Sequence, residues 1–305
     1  MDIIAPYQNK STPISKNVTP TTKRDPQGKG LPALAGQASP APLEFAGEIT
    51  RLERRKLLAK PWIDRRLYMK VQNRVTVMDY GEGYVEATWG KSNPEKKKCA
   101  VRGRSKNREI NKEKSKRQAM ASVRRKCMAA GLDHLVTLTY RENIVDKEKA
   151  WHHFEQFIRL VHTYFPDWLY VCTKERQERG AIHFHMGVKG YQDVTLLRSL
   201  WRCVAGDGNI DVSYVKTKKG VQWQRQRLAS YLAKYISKDM ENELNERRYR
   251  ASLGIEIPKQ IIYLHPAINP MEYVTYKIES LAGQVAYVWS PEESKGLYGW
   301  ACSWG

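Results

Sequence analysis

The sequence has few cysteines and no long apolar stretch, and both shortages narrow the class of protein. The five cysteines are scattered without a CxxC pair, which argues against a disulfide framework and a zinc ribbon and indicates a reducing compartment. No window approaches the roughly eighteen consecutive apolar residues of a membrane-spanning helix. The opening MDIIAPYQNK also lacks the basic-then-apolar pattern of a signal peptide. The sequence therefore predicts a cytoplasmic protein with no membrane association.

Two further shortages concern nucleotide-binding loops and negative charge. Neither GxxxxGKS nor GxxxxGKT is present, so the sequence indicates no built-in helicase motor. Acidic residues are outnumbered, because 32 Asp and Glu face 52 Lys and Arg, which gives a formal net charge of +20 and an isoelectric point near 9.7. Such an excess of positive charge favours a polyanionic partner, most simply nucleic acid.

Composition divides the chain of 305 residues into four parts. Residues 1–45 hold seven of the fourteen prolines among Ser, Thr, Lys and Gly. Such a stretch cannot bury enough apolar surface to offset its ordering entropy, so we expect a disordered, basic leader. A basic region follows over 46–130, and alternating strand and helix patterns occupy 131–245. The segment 246–305 is expected to pack onto that core.

Positive charge is concentrated between Lys91 and Lys126, where fifteen Lys and Arg face three acids. The composition from Arg108 to Met128 favours a helix that stops at Gly131. This helix could be merely a solvated, charged surface, but such one-sided charge favours contact with phosphates. The candidate DNA contacts are Lys96, Lys97, Lys98, Arg102, Arg104, Lys112, Lys116 and Arg117.

Strand and helix periods alternate through the core. The β-branched run His134–Tyr140 predicts a strand, while WLYVCT and AIHFHMGV predict a hairpin joined by ERQERG. A further strand, NIDVSYV, lies between helices predicted at Leu196–Val204 and Arg225–Met240. This order predicts an α+β domain in which one antiparallel sheet carries its helices mainly on one face.

The first candidate site is His183-Phe184-His185. Alternate strand residues point to the same face, so the two imidazoles lie about 7 Å apart at their Cα atoms and could converge on one cation. Glu175, near the end of the preceding strand, could supply a third ligand, and Glu178 in the turn is a competing carboxylate. The plainer alternative is a strand with one exposed face.

The second candidate site is the helical segment YLAKYISK. Its two tyrosines, Tyr231 and Tyr235, stand four residues apart and share a helix face, as do Lys234 and Lys238. Two phenols could therefore present their oxygens to one point, with ammonium groups nearby. Taken alone, the motif favours simple packing, because both tyrosines border the apolar stripe of the helix.

The three motifs taken in this order resemble those of the HUH endonucleases that initiate rolling-circle replication. HLVTLTYREN, ERQERGAIHFH and YLAKYISK carry the resemblance, and the paired tyrosines are similar to the two-tyrosine initiators of microvirus and filamentous single-stranded DNA phages. The resemblance covers about residues 105–255. It implies an HUH endonuclease core over 131–245 with an antiparallel sheet of the ferredoxin- or RRM-like type.

The resemblance also implies a metal site and a pair of nucleophiles. The residues implied to bind a divalent cation, Mg²⁺ or Mn²⁺, are His183, His185 and Glu175. The residues implied to carry out strand cleavage are Tyr231 and Tyr235, as nucleophiles, and Lys234 and Lys238, which contact the phosphate or favour the phenolate.

The implied function is that of a replication initiator, which nicks single-stranded origin DNA by metal-assisted tyrosine transesterification. The reaction would form a 5′-phosphotyrosine link, leave a 3′-hydroxyl primer and later rejoin the displaced strand. Implied partners are single-stranded origin DNA and the host helicase, polymerase and single-strand binding protein, in the host cytoplasm if the chain is phage-encoded. Two alternatives stay open: a non-enzymatic basic single-stranded DNA-binding protein, and an HUH transposase or relaxase.

Overall fold

A computed structural model describes residues 48–49, 56, 73–92, 105–214, 222–238 and 247–304. In residues 48–49, 222–224 and 237–238 only the backbone is described. The leader predicted over 1–45 lies outside these ranges, as do the candidate DNA contacts Lys96, Lys97, Lys98, Arg102 and Arg104. All described residues belong to one unit of the chain, Phe45–Gly305.

The described residues form eleven strands and five helices. The strands are β1 (Glu48–Ile49), β2 (Asn73–Asp79), β3 (Val85–Lys91), β4 (His134–Tyr140), β5 (Tyr170–Arg176), β6 (Ile182–Val188), β7 (Gly208–Tyr214), β8 (Tyr249–Ala251), β9 (Gln260–Leu264), β10 (Tyr287–Trp289) and β11 (Gly299–Cys302). The helices are α1 (Arg108–Ala129), α2 (Lys147–Tyr164), α3 (Val194–Ala205), α4 (Gln222–Lys238) and α5 (Pro270–Ala282). Within these ranges no helix is both long enough and apolar enough to cross a membrane.

The central sheet contains five antiparallel strands in the order β7-β4-β6-β5-β8. All seven residues of β6 are buried, so both faces of the sheet are covered at its centre. On one face Phe184 and Met186 pack against α2 and α3, which contribute Phe154 and Trp201 to the same core. Because side chains alternate along a strand, the histidines that flank Phe184 lie on the opposite face.

Helices α1 and α4 cover that opposite face. They pack against each other and against Leu135 of β4 and Val171 of β5. Gly187 lets α4 lie close to β6, since a Cβ atom there would lie 3.0 Å from Cδ1 of Leu232 and 3.4 Å from Cδ2 of Leu228. The antiparallel α+β fold is thus confirmed, but its helices cover both faces of this sheet rather than mainly one.

A second antiparallel sheet contains six strands in the order β1-β9-β2-β3-β11-β10. Helix α5 packs on it through Tyr273, Val274 and Ile278. The segment 246–305 supplies β9, β10 and β11 to this sheet and β8 to the central one. The sequence pattern predicted one sheet only, because pairings as distant as Ala87 with Ala301 leave no trace in local periodicity.

Glu86 on β3 joins the second sheet to α1. Its carboxylate is fully buried and accepts hydrogen bonds from Nη2 of Arg124 at 2.9 Å and Nη2 of Arg125 at 2.7 Å. A buried carboxylate is costly unless it is paired, so these two arginines serve the fold. They belong to the basic stretch 91–126, whose positive charge is therefore not all available to a nucleic acid.

Candidate active site

Three neighbouring strands place polar side chains on the face covered by α1 and α4. In the register of the sheet, His185 of β6 lies between Thr137 of β4 and Thr173 of β5, and His183 lies opposite Glu175. Residues paired across antiparallel strands point to the same face. Two imidazoles, one carboxylate and two hydroxyls therefore share one patch, which we call the histidine patch.

His185 is held in one orientation through both of its ring nitrogens. Nε2 lies 2.9 Å from Oε2 of Glu175, and Nδ1 lies 3.3 Å from Oγ1 of Thr137. In a neutral imidazole one nitrogen donates a hydrogen bond and the other accepts one. Because an ionised carboxylate can only accept, Nε2 carries the proton and the Thr137 hydroxyl donates to Nδ1.

His183 has one ring nitrogen in contact and one unsatisfied. Its Nδ1 lies 3.2 Å from Nε2 of Gln177, in the turn between β5 and β6. Its Nε2 is buried and has no hydrogen-bond partner among the described residues. Burial lowers the pKa of the His183 imidazole, and the nearby His185 and Arg179 lower it further, against a smaller opposing effect of Glu175. His183 is thus a neutral imidazole whose buried nitrogen a ligand would satisfy.

Helix α4 places both predicted tyrosines over the histidine patch. The ring of Tyr235 stacks on the imidazole of His185, with centroids 4.0 Å apart and planes inclined by 6°. The ring of Tyr231 meets Tyr235 edge-on at 4.9 Å, and its centroid lies 6.1 Å from that of His185. The close approach of α4 at Gly187, two residues beyond His185, is what allows this stacking.

The two phenols also contact each other, because the Tyr235 hydroxyl donates a hydrogen bond to the Tyr231 hydroxyl. Tyr235 is only 5% exposed, whereas Tyr231 is half-buried. Burial raises the pKa of Tyr235, and the hydrogen bond and charge of Tyr231 together with the charge of Glu175 raise it further. Tyr235 therefore stays protonated at neutral pH and is a hydrogen-bond donor.

The carboxylate beside the histidines is Glu175, since Glu178 is exposed in the turn that follows β5. Two members of the patch went unnoticed in the sequence. Gln177 contacts His183 from the same turn, and the buried hydroxyl of Thr173 has no hydrogen-bond partner among the described residues. The alternation of β5 would have selected Thr173 together with Glu175, but only once the hairpin register was known.

The predicted basic residues are more widely spread than the tyrosines and histidines. Lys234 is exposed on α4, and of Lys238 only the backbone is described. On α1, Lys112 and Lys116 are half-buried, while Arg117 is exposed and forms an ion pair with an acidic neighbour on the same helix at 3.2 Å. The described part of the basic region thus lies beside the patch on α1 rather than within it.

The histidine patch has donors that suit a divalent cation. Among the described residues no three His, Cys, Asp or Glu side chains already converge at metal-binding distances. The 2.9 Å between Glu175 Oε2 and His185 Nε2 is nevertheless close to the roughly 3 Å between neighbouring ligands of an octahedral ion with bonds of about 2.1 Å. The unsatisfied Nε2 of His183 offers a third ligand. The residues present therefore fit Mg²⁺ or Mn²⁺.

Residues 133–240 match the family model described as replication-associated protein ORF2/gene 2 protein. This segment is similar to replication-associated proteins. The match begins just before β4 and ends just after α4, so it includes all members of the patch and both tyrosines. It confirms the resemblance to phage replication proteins at the level of a replication-associated family.

A solved structure is also similar to this chain. It is the hypothetical protein ORF119 from Sulfolobus islandicus rod-shaped virus 1, which is 17% identical, with a TM-score of 0.29. The alignment covers 41% of this chain and 98% of that protein. No curated protein matches the chain.

Proposed function

We propose that this protein nicks and rejoins single-stranded DNA through a tyrosine, and so starts and ends rolling-circle replication. The similarity of residues 133–240 to replication-associated proteins supports the process. The observation that carries the chemistry is the stacking of Tyr235 on His185, with the Tyr231 hydroxyl joined to that of Tyr235. Nucleophiles and candidate metal ligands thus meet at one place, as cleavage of a single phosphodiester requires.

The reaction exchanges one phosphate ester for another. Oη of a tyrosine bonds to phosphorus, the bond from phosphorus to the 3′ oxygen breaks, and the phenolic proton passes through water to the released 3′-hydroxyl. The product is a 5′-phosphotyrosine link, which keeps the bond energy for the later rejoining step, so no ATP is needed. At neutral pH, ionising a tyrosine of ordinary pKa costs about 4 kcal/mol, so the site must favour the phenolate.

The chain's own groups address that cost and the charge of the phosphate. A hydrogen bond donated by Tyr235 favours negative charge on the Tyr231 oxygen. Thr137 and Glu175 hold His185 in place from both sides. When bound by His183, His185 and Glu175, Mg²⁺ or Mn²⁺ would neutralise the non-bridging phosphate oxygens.

The contact between the two hydroxyls gives a reason for paired tyrosines. Tyr231 and Tyr235 reach the same point, so one can attack a regenerated origin while the other still holds the DNA. The first then releases its strand to the free 3′-hydroxyl, and the second stays attached. An initiator with this arrangement passes from one round to the next without leaving the template.

The test is a covalent adduct. The protein is incubated with Mn²⁺ and a random single-stranded library labelled at the 3′ end, because the fragment on the 3′ side of the nick is the one attached to tyrosine. Denaturing gels should show a labelled adduct whose DNA, once sequenced, shares a nick site. The double variant Tyr231→Phe/Tyr235→Phe should form none, while Tyr191→Phe, which changes a side chain that is 90% exposed, should act as wild type.

The outcomes separate the alternatives. DNA retained under native conditions but lost on denaturation indicates a non-enzymatic binding protein. A labelled adduct that survives in the double variant refutes the assignment of these two tyrosines. Transfer of the labelled strand to an unrelated acceptor, in place of rejoining at the same nick, indicates a transposase-type strand transferase.

A further inference from the structure

An open groove of about 740 Å³ lies between α1 and the segment around β8. One wall is a stripe of α1 that recurs at helical spacing, formed by Ser115, Gln118, Ser122 and Lys126. The other wall runs from Arg247 to Gly254. The sequence analysis assigned no chemistry to either wall, since its DNA contacts on α1 were Lys112, Lys116 and Arg117.

The groove is basic and rich in hydrogen-bond donors. Its cations are Lys126, Arg247, Arg248 and Arg250, and the described residues that line it include no carboxylate. Arg250 is engaged on the far side, where it pairs with Glu155 and lies 4.5 Å over the ring of Trp151. The other three cations, with serine hydroxyls and the Gln118 amide, make a surface suited to phosphate oxygens.

The groove leads to the histidine patch along the central sheet. Tyr249 of β8 pairs with Thr173 of β5, which in turn pairs with His185 of β6. Neighbouring strands lie about 4.8 Å apart, so the Cα atoms of Tyr249 and His185 are roughly 10 Å apart on the same face. The Tyr249 hydroxyl lies 2.6 Å from Oγ of Ser122 and so ties the two walls together. A strand lying in the groove therefore continues directly into the patch.

We propose that this groove binds the single-stranded DNA that adjoins the scissile phosphate, an inference that rests on the proposed function. A polyanion is indicated by the charge of the lining. A single strand is indicated by shape, because proteins usually read a duplex by inserting a convex helix into a groove about 12 Å wide, whereas here the protein surface is concave. Leu253, which is 96% exposed, stands at the rim beside Gly254 and offers an apolar contact to an unpaired base.

The test compares two groove variants with a charge-matched control. Arg247→Gln/Arg248→Gln neutralises one wall, and Ser115→Glu/Gln118→Glu places negative charge on the other at two exposed helix positions. Lys259→Gln/Lys295→Gln removes the same charge as the arginine variant from exposed sites outside the groove. Binding of a labelled 30-mer single strand is followed by fluorescence anisotropy in EDTA, over a range of salt concentrations.

We expect both groove variants to bind the single strand about tenfold more weakly, and the control within about twofold of wild type. Loss of two phosphate contacts should also reduce the salt slope of the arginine variant by about 1.4, at roughly 0.7 for each contact. Equal losses in the groove variants and the control would mean that net charge alone acts, and would overturn the proposal. Unchanged groove variants would overturn it as well, as would a loss confined to duplex DNA.

The adduct assay keeps this inference apart from the proposed function. If wild type forms the adduct and the groove variants bind normally, the groove proposal fails and the tyrosine chemistry stands. If wild type forms no adduct but the groove variants still lose single-strand affinity, the groove stands and the tyrosine chemistry fails.

Discussion

The Tyr235 hydroxyl donates its hydrogen bond to the Tyr231 hydroxyl, so the two phenols of the site are not equivalent. Tyr235 is buried, stacked on His185 and held protonated by its raised pKa. Tyr231 is half-buried and is the acceptor. This asymmetry favours Tyr231 as the first nucleophile and gives Tyr235 the part of donor until a strand has been taken up.

We therefore expect Tyr231→Phe to abolish the first cleavage and Tyr235→Phe to slow it only moderately. The second variant loses one hydrogen bond to the attacking oxygen, which contributes about 0.5–1.5 kcal/mol and corresponds to a rate factor of about 2–13. Single-turnover cleavage of an oligonucleotide that carries the selected nick site, with Mn²⁺ present, measures both rates. The adduct of wild type should map to the peptide that contains Tyr231.

The same experiment can reverse the assignment. A Tyr231→Phe protein that cleaves at the wild-type rate, beside an inactive Tyr235→Phe protein, would make Tyr235 the first nucleophile. Rejoining supplies a second readout, since a second attack on a regenerated nick site needs both phenols. Each single variant should therefore stop after one turnover.

The metal assignment predicts that cleavage requires both histidines and Glu175. His183→Ala and Glu175→Gln should each lower the cleavage rate at least about a hundredfold, because each removes a ligand from the site. Single-strand binding in EDTA should stay within about twofold of wild type. Matched controls are His152→Ala and Glu178→Gln, which alter exposed residues of the same types. Equal cleavage with and without EDTA would contradict the assignment.

The site could be predicted further from the sequence than the fold. Period-two alternation was enough to place His183 and His185 on one face, and four-residue spacing was enough to pair Tyr231 with Tyr235. The choice of Glu175 over Glu178 depended on the hairpin register, which the length of a turn does not reveal. The unequal burial of the phenols depends on how closely α4 approaches β6, and that is a property of packing.

The fold was predictable only where neighbouring elements pair with each other. Strands β4 to β7 and helices α2 to α4 follow one another along the chain, and their periodicities were legible. The second sheet joins β2 and β3 to strands near the C-terminus, so no local window contains both partners. In the same way, Arg124 and Arg125 counted as positive charge in the sequence, although a buried carboxylate from a distant strand binds both.

That buried carboxylate predicts a large effect on stability. Glu86→Gln keeps the shape of the side chain but removes the charge that faces Arg124 and Arg125, whose side chains are 26% and 24% exposed. We expect the free energy of unfolding to fall by about 2–4 kcal/mol, measured by urea unfolding. Glu109→Gln, an exposed acid in the first turn of α1, should change it by less than about 0.5 kcal/mol. A Glu86→Gln protein as stable as wild type would refute a structural role for this ion pair.

Tyr84 predicts a loss of stability in alkaline solution. Burial raises the pKa of its phenol to about 12, whereas a tyrosine in the unfolded chain ionises near pH 10. The unfolded state therefore loses its proton first, and the stabilisation, complete below about pH 10, is lost as pH rises towards 12. Tyr84→Phe should reduce this loss in urea unfolding near pH 11, with exposed Tyr298→Phe as the control.

The residual alkaline loss in that variant has a named source. Burial also raises the pKa of Tyr170 to about 12, so part of the pH dependence should persist. At neutral pH the Tyr84→Phe protein should be at least as stable as wild type, because the buried hydroxyl that it removes has no hydrogen-bond partner among the described residues. An alkaline loss unchanged from wild type would mean that the Tyr84 phenol ionises alike in both states.

Gly187 predicts a link between packing and catalysis. In Gly187→Ala the new Cβ would lie 3.0 Å from Leu232 and 3.3 Å from Leu132, so α4 must shift away from β6. We expect a loss of about 1–3 kcal/mol in the free energy of unfolding. Cleavage should slow by up to about a hundredfold, because α4 carries both tyrosines and small displacements of reacting groups are costly. Gly90→Ala is the control, since its Cβ would meet Tyr298 at an ordinary 3.5 Å. Unaltered cleavage by a destabilised Gly187→Ala protein would show that the tyrosines do not depend on this contact for their position.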